Sequence, residues 1–263
     1  MLIPLPRTPS PVPVDLSSVT MQAGPPSRGE LAKFYPARYT WPQLKSFMAS
    51  GDLGLLKRDP VLQKRYNAWS EDIKKEHGSI TNYLVNVRLG WGPRTPLTTT
   101  ASPSSSIPSL ALTPDNLPQI VPDSVRKPEY FTSTPSPEDV KIIFNDWPYS
   151  IPPDISHYVI WSRLPIIHPA VVHPSVANQI NQDGLWGFTG VGAKESAEGI
   201  YTDVAPGTLL EAREHILTAA HHTHQFVLAH WPENIWEVAW FVNPPRIQSV
   251  KDLSHIHVFA RRK

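Results

Sequence analysis

Two histidines stand one residue apart in Ser254-His255-Ile256-His257-Val258-Phe259, a stretch rich in β-branched and aromatic residues that reads as a strand. Side chains alternate across a strand, so His255 and His257 share a face while Ile256 and Val258 point to the other. Two imidazoles side by side can supply a nucleophile and a proton donor near neutral pH. Gln248-Ser249-Val250 lies just upstream, and its backbone and hydroxyl donors suit a phosphate. His157 sits in the strand-like run Ile155 to Ser162, and Asp146 and Asp154 flank the Pro-rich turn before it. The candidate site is His255 and His257 for catalysis, if the chain is an enzyme, with His157, Gln248 and Ser249 for ligand binding; by themselves the two aspartates read as turn caps.

Other clusters carry less. His221 and His224 can share a helix face, but zinc wants about four ligands, no glutamate stands at metalloprotease spacing, and the chain has no cysteine. No metal and no cofactor is expected. Gly187 to Ser196 superficially resembles a phosphate loop, but its lysine does not directly follow the last glycine and precede Ser or Thr, so it reads as a mobile surface loop. Lys57-Arg58 and Lys64-Arg65 read as solvated helix faces. No Gly-x-Ser-x-Gly elbow is present.

The elements that must hold these residues follow from periodicity. Trp41, Leu44 and Phe47 suggest a short helix; Leu62, Tyr66, Trp69 and Ile73 a longer one ending at His77-Gly78; and Ser79 caps another running to Leu89. Glu138 to Phe144 is a short helix or strand. Ile155 to Ser162, Trp236 to Val242 and His255 to Ala260 read as strands, and Leu209 to Ala229 as a long helix. The expectation is an α+β fold, N-terminal helices packed on a C-terminal, mostly antiparallel sheet with one long helix. Residues 1–28 read as a disordered tail, residues 29–263 as a single globular domain, residues 92–137 as a disordered Pro/Ser-rich internal linker, and residues 164–206 as a long loop.

Composition narrows the function classes. The chain has 263 residues, 40% of them hydrophobic, enough for an ordinary core, and its 30 prolines demand irregular stretches. A net charge of +1 gives no basic excess for nucleic acid. The N-terminus lacks a signal-peptide core and no run is long enough for a membrane span. The absence of cysteine fits a reducing compartment. A cytoplasmic protein is expected, the nucleus remaining open, without nucleic-acid or membrane partners and with protein partners and oligomeric state unspecified.

Three stretches together carry a resemblance: Arg65 to Trp69 with Gly78 to Leu84; Asn145 to Tyr149 with Asp154 to Ser162; and Trp240 to Asn243 with Gln248 to Val250 and His255 to Val258. In order and spacing the chain resembles the fungal N-acetylglucosamine-induced protein family, a domain of unknown function, over most of residues 35–263. The resemblance implies a link to the N-acetylglucosamine response or to nucleotide-sugar balance, with a binding or regulatory role, and brings no catalytic residues with it. Over Asn145 to Ala260 the chain also resembles the histidine-triad superfamily, which implies an alternative: a histidine-dependent nucleotidyl hydrolase or transferase acting on a nucleotide sugar or dinucleotide. Leu253 or Phe259 stands where a full triad has its third histidine. The downstream Val-Phe pair favours His255 as nucleophile, whereas the two-histidine pattern of hexose-phosphate uridylyltransferases favours His257. The histidine-triad resemblance implies that Asp146 or Asp154 holds a ribose hydroxyl, with Asp146 counted among the ligand-binding candidates; the partner is a nucleotide or nucleotide sugar, or, for a binding protein, another protein.

Overall fold

The computed structural model describes residues 2–6, 18–92, 128–192, 204–251 and 253–263. Its centre is a five-stranded antiparallel sheet formed by β1 (Val140–Phe144), β2 (Ile155–Ser162), β3 (Leu185–Thr189), β4 (Trp236–Val242) and β5 (Ser254–Arg262), in the order β1-β2-β5-β4-β3. The strand sequences Ile-Ser-His-Tyr-Val-Ile-Trp-Ser and Trp-Glu-Val-Ala-Trp-Phe-Val do not alternate apolar with polar. An antiparallel sheet with one wet face alternates cleanly, so these runs mark a sheet covered on both sides.

The covers come from the two ends of the chain. On one face Ile160, Trp240, Ile256 and Val258 pack with Ile216, Phe226 and Val227 of the long helix. On the other, Ala239, Phe241 and Phe259 meet Trp41, Leu44 and Met48, while Val159 and Trp161 meet Leu84 and Leu89. The helices are α1 (Arg28–Phe34), α2 (Trp41–Ala49), α3 (Pro60–His77), α4 (Ile80–Tyr83), α5 (Pro174–Asp183) and α6 (Leu210–His230), with a π turn over Leu84–Arg88 continuing α4. Local sequence sets their ends. Ser27 with Glu30 and Thr40 with Gln43 form capping boxes, and Asp59 caps α3 with Pro60 in its first turn. Gly78 closes α3 at φ +80°, a conformation that costs any residue with a Cβ.

The α+β arrangement expected from the sequence is the one found. Among the described residues no helix is long and apolar enough to cross a membrane. Three boundaries differ from expectation. Within residues 164–206, read as one loop, lie α5 and β3. Pro169, Pro174, Gly184 and Gly190 gave the segment its loop-like look, yet His173 and Pro174 start a helix and the two glycines bracket a fully buried edge strand. Gly187 is therefore a strand residue packed on Trp240, where a Cβ would lie 2.7 Å from the indole. Within residues 1–28, Ile3 is buried in the core, its N–H donating to His230 Nε2, and the carbonyls of Gln22 and Gly24 accept from Arg65. Within residues 92–137, Phe131 is buried against Phe226. Residues 1, 7–17, 93–127 and 193–203 of the tail, linker and loop readings lie outside the described residues.

Candidate functional site

Alternation on β5 brings His255 and His257 to the face covered by the N-terminal helices. The antiparallel register sets Val159 opposite His257 and Phe259 opposite His157, so His157 and His257 are diagonal neighbours. His157 Nε2 lies 3.0 Å from His257 Nδ1. All three rings are deeply buried, with residue exposures of 4%, 3% and 6% for His157, His255 and His257. Aromatic rings wall them in: Tyr149 over His157 and His257, Phe241 against His257, and Trp161 against His255.

The hydrogen bonds assign the tautomers. The Tyr149 N–H donates to His157 Nδ1, so His157 carries its proton on Nε2 and donates it to His257 Nδ1. A neutral His257 then holds its own proton on Nε2. His255 donates Nδ1–H to the Leu253 carbonyl at 3.0 Å, leaving a lone pair on its Nε2. Neither Nε2 of the β5 pair has a protein partner among the described residues. The two residues thus offer one donor and one acceptor to whatever enters beside them.

What they face is a cavity of about 70 Å³, walled by Trp69, Tyr83, Trp147 and Trp161 and reached also by Arg58, Asp146 and Ser249. One water needs only about 10–15 Å³ of such space, so a functional group of several heavy atoms fits. A larger groove, about 530 Å³, is lined by Tyr35, Tyr149, Pro152 and His157; Phe144, Asn145 and Asp146 line both spaces. The Asn145 carboxamide accepts from the Trp147 N–H and lies against the His157 ring. Asp146 is held by a two-pronged pair with Arg88, at 2.7 and 2.9 Å.

Of the residues singled out from sequence, Asp146, Ser249, His255 and His257 line the cavity, and His157 joins it through His257 while lining the groove. Gln248 instead turns its side-chain amide to the Asn243 carbonyl. His221 and His224 do not form a pair: His221 is exposed, His224 packs towards Trp240, and among the described residues no group of three metal-binding side chains occurs. Two residues were missed. Tyr149 was read only as part of a turn, and Arg58 as a solvated helix face. Arg58 in fact precedes α3 and folds back, donating Nε–H to the Trp147 carbonyl and Nη1–H to Gln63 Oε1. The usable signal was Asp59-Pro60, a helix start that places Arg58 outside the helix.

Burial pushes His157 well below the ordinary histidine value of 6.5, with the Arg58 charge acting in the same direction. Burial does the same to His257, helped by His157, His255 and Arg58, and it lowers His255 against the opposing bond to Leu253. Depressed histidines bind fewer protons folded than unfolded, so their contribution to stability is complete above the unfolded value and is lost as pH falls towards the native one. Between pH 6.5 and 5.5 each should remove up to about 1.4 kcal/mol of stability per pH unit. Urea unfolding across pH 7.5 to 5.5 checks this; a flat profile over that window would show that the rings titrate normally.

The family model described as a protein of unknown function (DUF3605) matches residues 40–182. The N-acetylglucosamine-induced protein 1 of Candida albicans is 22% identical over 231 residues, covering 85% of this chain and 68% of that protein. An uncharacterized protein of Saccharomyces cerevisiae is 25% identical over 223 residues, covering 84% of this chain and 77% of that one. Among solved structures, one described as the crystal structure of HTC1 aligns over 85% of each chain with a TM-score of 0.43 and 22% identity.

Proposed function

The chain belongs to the DUF3605 family of proteins of unknown function, and on that premise we propose that it is a binding protein of amino-sugar metabolism that holds a sugar or nucleotide sugar on the histidine face of its sheet. The observation that carries this reading is that His257 Nε2–H and His255 Nε2 have no protein partner among the described residues and belong to side chains lining an aromatic-walled cavity. Two indole N–H groups of the same wall, those of Trp147 and Trp161, are buried without a partner among the described residues, and buried polar atoms are ordinarily satisfied. A donor and an acceptor side by side match the hydroxyls of a sugar, and aromatic walls match the apolar faces of its ring or of a base. The choice of an amino sugar leans on the Candida relative, whose name states that N-acetylglucosamine induces it.

One observation favours turnover as a second reading. His255 is oriented by the Leu253 carbonyl with its lone pair free, as a nucleophile needs to be. In that case His255 Nε2 attacks a phosphorus and the P–O bond to the leaving group breaks. Water then frees the phosphoryl group from the ring. His257, whose Nε2 carries a proton, acts as donor.

Thermal unfolding with N-acetylglucosamine, its phosphates and UDP-N-acetylglucosamine separates these outcomes. Binding should stabilise the fold by about 2.7 kcal/mol at a hundred times the dissociation constant. Nucleotide product that forms with the native chain and disappears with His255→Ala selects the second reading. If no compound of the panel shifts the transition at millimolar concentration, the sugar-binding reading is wrong.

A further inference from the structure

We infer that the ligand carries a phosphate group and that Arg58 is its anchor, an inference that rests on the sugar-binding reading. Arg58 is a half-buried cation on the cavity wall, and among the described residues no carboxylate lies within pairing distance of it. The nearby carboxylate, Asp146, is already held on both oxygens by Arg88. The guanidinium is fixed rather than mobile. Its carbon lies 4.4 Å from the centre of the Tyr66 ring and 5.8 Å from that of Tyr149, and two of its nitrogens are committed to Trp147 and Gln63. Nη2 alone has no protein partner among the described residues.

A charge withdrawn from water is costly unless an opposite charge meets it, and a pre-positioned guanidinium edge suits a phosphate oxygen. The other groups of the cavity fit the same guest. His257 Nε2–H donates to a second phosphate oxygen, and the Ser249 hydroxyl, exposed at the rim, can donate to a third. His255 Nε2 accepts from a hydroxyl, of the sugar or of the protonated phosphate. The cavity has room for a phosphoryl group and not for a nucleotide, so the remainder of the ligand must lie outside it. The groove across Asn145 and Asp146 is the adjoining space.

The test is calorimetric titration of the full chain with N-acetylglucosamine, its 1-phosphate, its 6-phosphate, UDP-N-acetylglucosamine and inorganic phosphate. The unmodified protein should prefer at least one phosphorylated sugar to the free sugar by about tenfold or more, the worth of a charge-assisted hydrogen bond. Which phosphate wins identifies a monoester or a nucleotide diphosphate as the source. In Arg58→Met that preference should vanish while affinity for the free sugar stays within about twofold. Arg58→Lys, keeping the charge without the fork, should retain part of it. Equal binding of free and phosphorylated sugar by the native chain overturns the inference and leaves the sugar site standing, whether or not the variants fold. Equal weakening of both in a folded Arg58→Met makes the arginine merely structural. If nothing in the panel binds, both ideas fall.

Discussion

Replacing Glu237 by leucine should destabilise the fold by up to about 3–5 kcal/mol, because it removes a carboxylate that faces the ammonium of a buried lysine. Lys45 is 1% exposed, buried on α2 beneath the aromatic ring of Trp41, and its ammonium is paired with Glu237 of β4, which is 15% exposed. Arg261 approaches the same carboxylate from outside at 3.9 Å, and as a second cation it offers the lysine no counter-charge. Restoring balance should rescue the loss: adding Lys45→Met to Glu237→Leu should return much of the stability, since a buried pair can often be exchanged for apolar residues at little cost. Urea midpoints of the single and double variants measure both. The exposed pair Lys74–Glu71 is the control, and Glu71→Ala should move stability by about 0.5 kcal/mol or less. Equal small losses at both pairs would mean that Glu237 is not what holds the buried ammonium.

Trp240→Ala should cost about 3–5 kcal/mol. The residue is 0% exposed in the middle of β4, on the face covered by α6, and Gly187 of β3 lies flat against its indole. No neighbour can swing in to fill the space, because strands on both sides are fixed by their ladders. Trp147 is the counterpart near the N-terminal helices, packed with Tyr35 and Leu62. We propose that residues 29–263 unfold as one unit. Trp147→Ala and Trp240→Ala should then lower the same transition, seen alike by far-ultraviolet circular dichroism and tryptophan fluorescence. Two transitions, each answering to one substitution, would divide the chain.

The strands β2 and β4 were legible residue for residue, because β-branched and aromatic runs bounded by prolines leave little choice. The shared face of His255 and His257 was legible for a different reason: period two is a property of any strand and needs no tertiary knowledge. What covers that face was not. Tyr149, Trp147 and Arg58 arrive from segments with no local signal tying them to β5, and contacts across about a hundred residues leave no periodicity behind. The same limit explains β3. Its five residues are bracketed by Gly184 and Gly190, and only the neighbouring ladder of β4 shows that the glycines end a strand rather than populate a loop.

The position of β5 has a bearing on how the protein is made. It is the last of the five strands in the sequence, yet it lies in the middle of the sheet, between β2 and β4. On a ribosome, every other strand emerges before it. Until residues 254–262 arrive, the β1-β2 and β3-β4 pairs each present a raw inner edge, the kind of surface that recruits foreign strands. Closing the sheet means sliding one strand into a slot rather than adding it to a rim, and the same stroke delivers both cavity-facing histidines. Translation halted short of Ser254 would therefore release a sticky pair of half-sheets with no pocket at all, not a weakened version of the finished molecule.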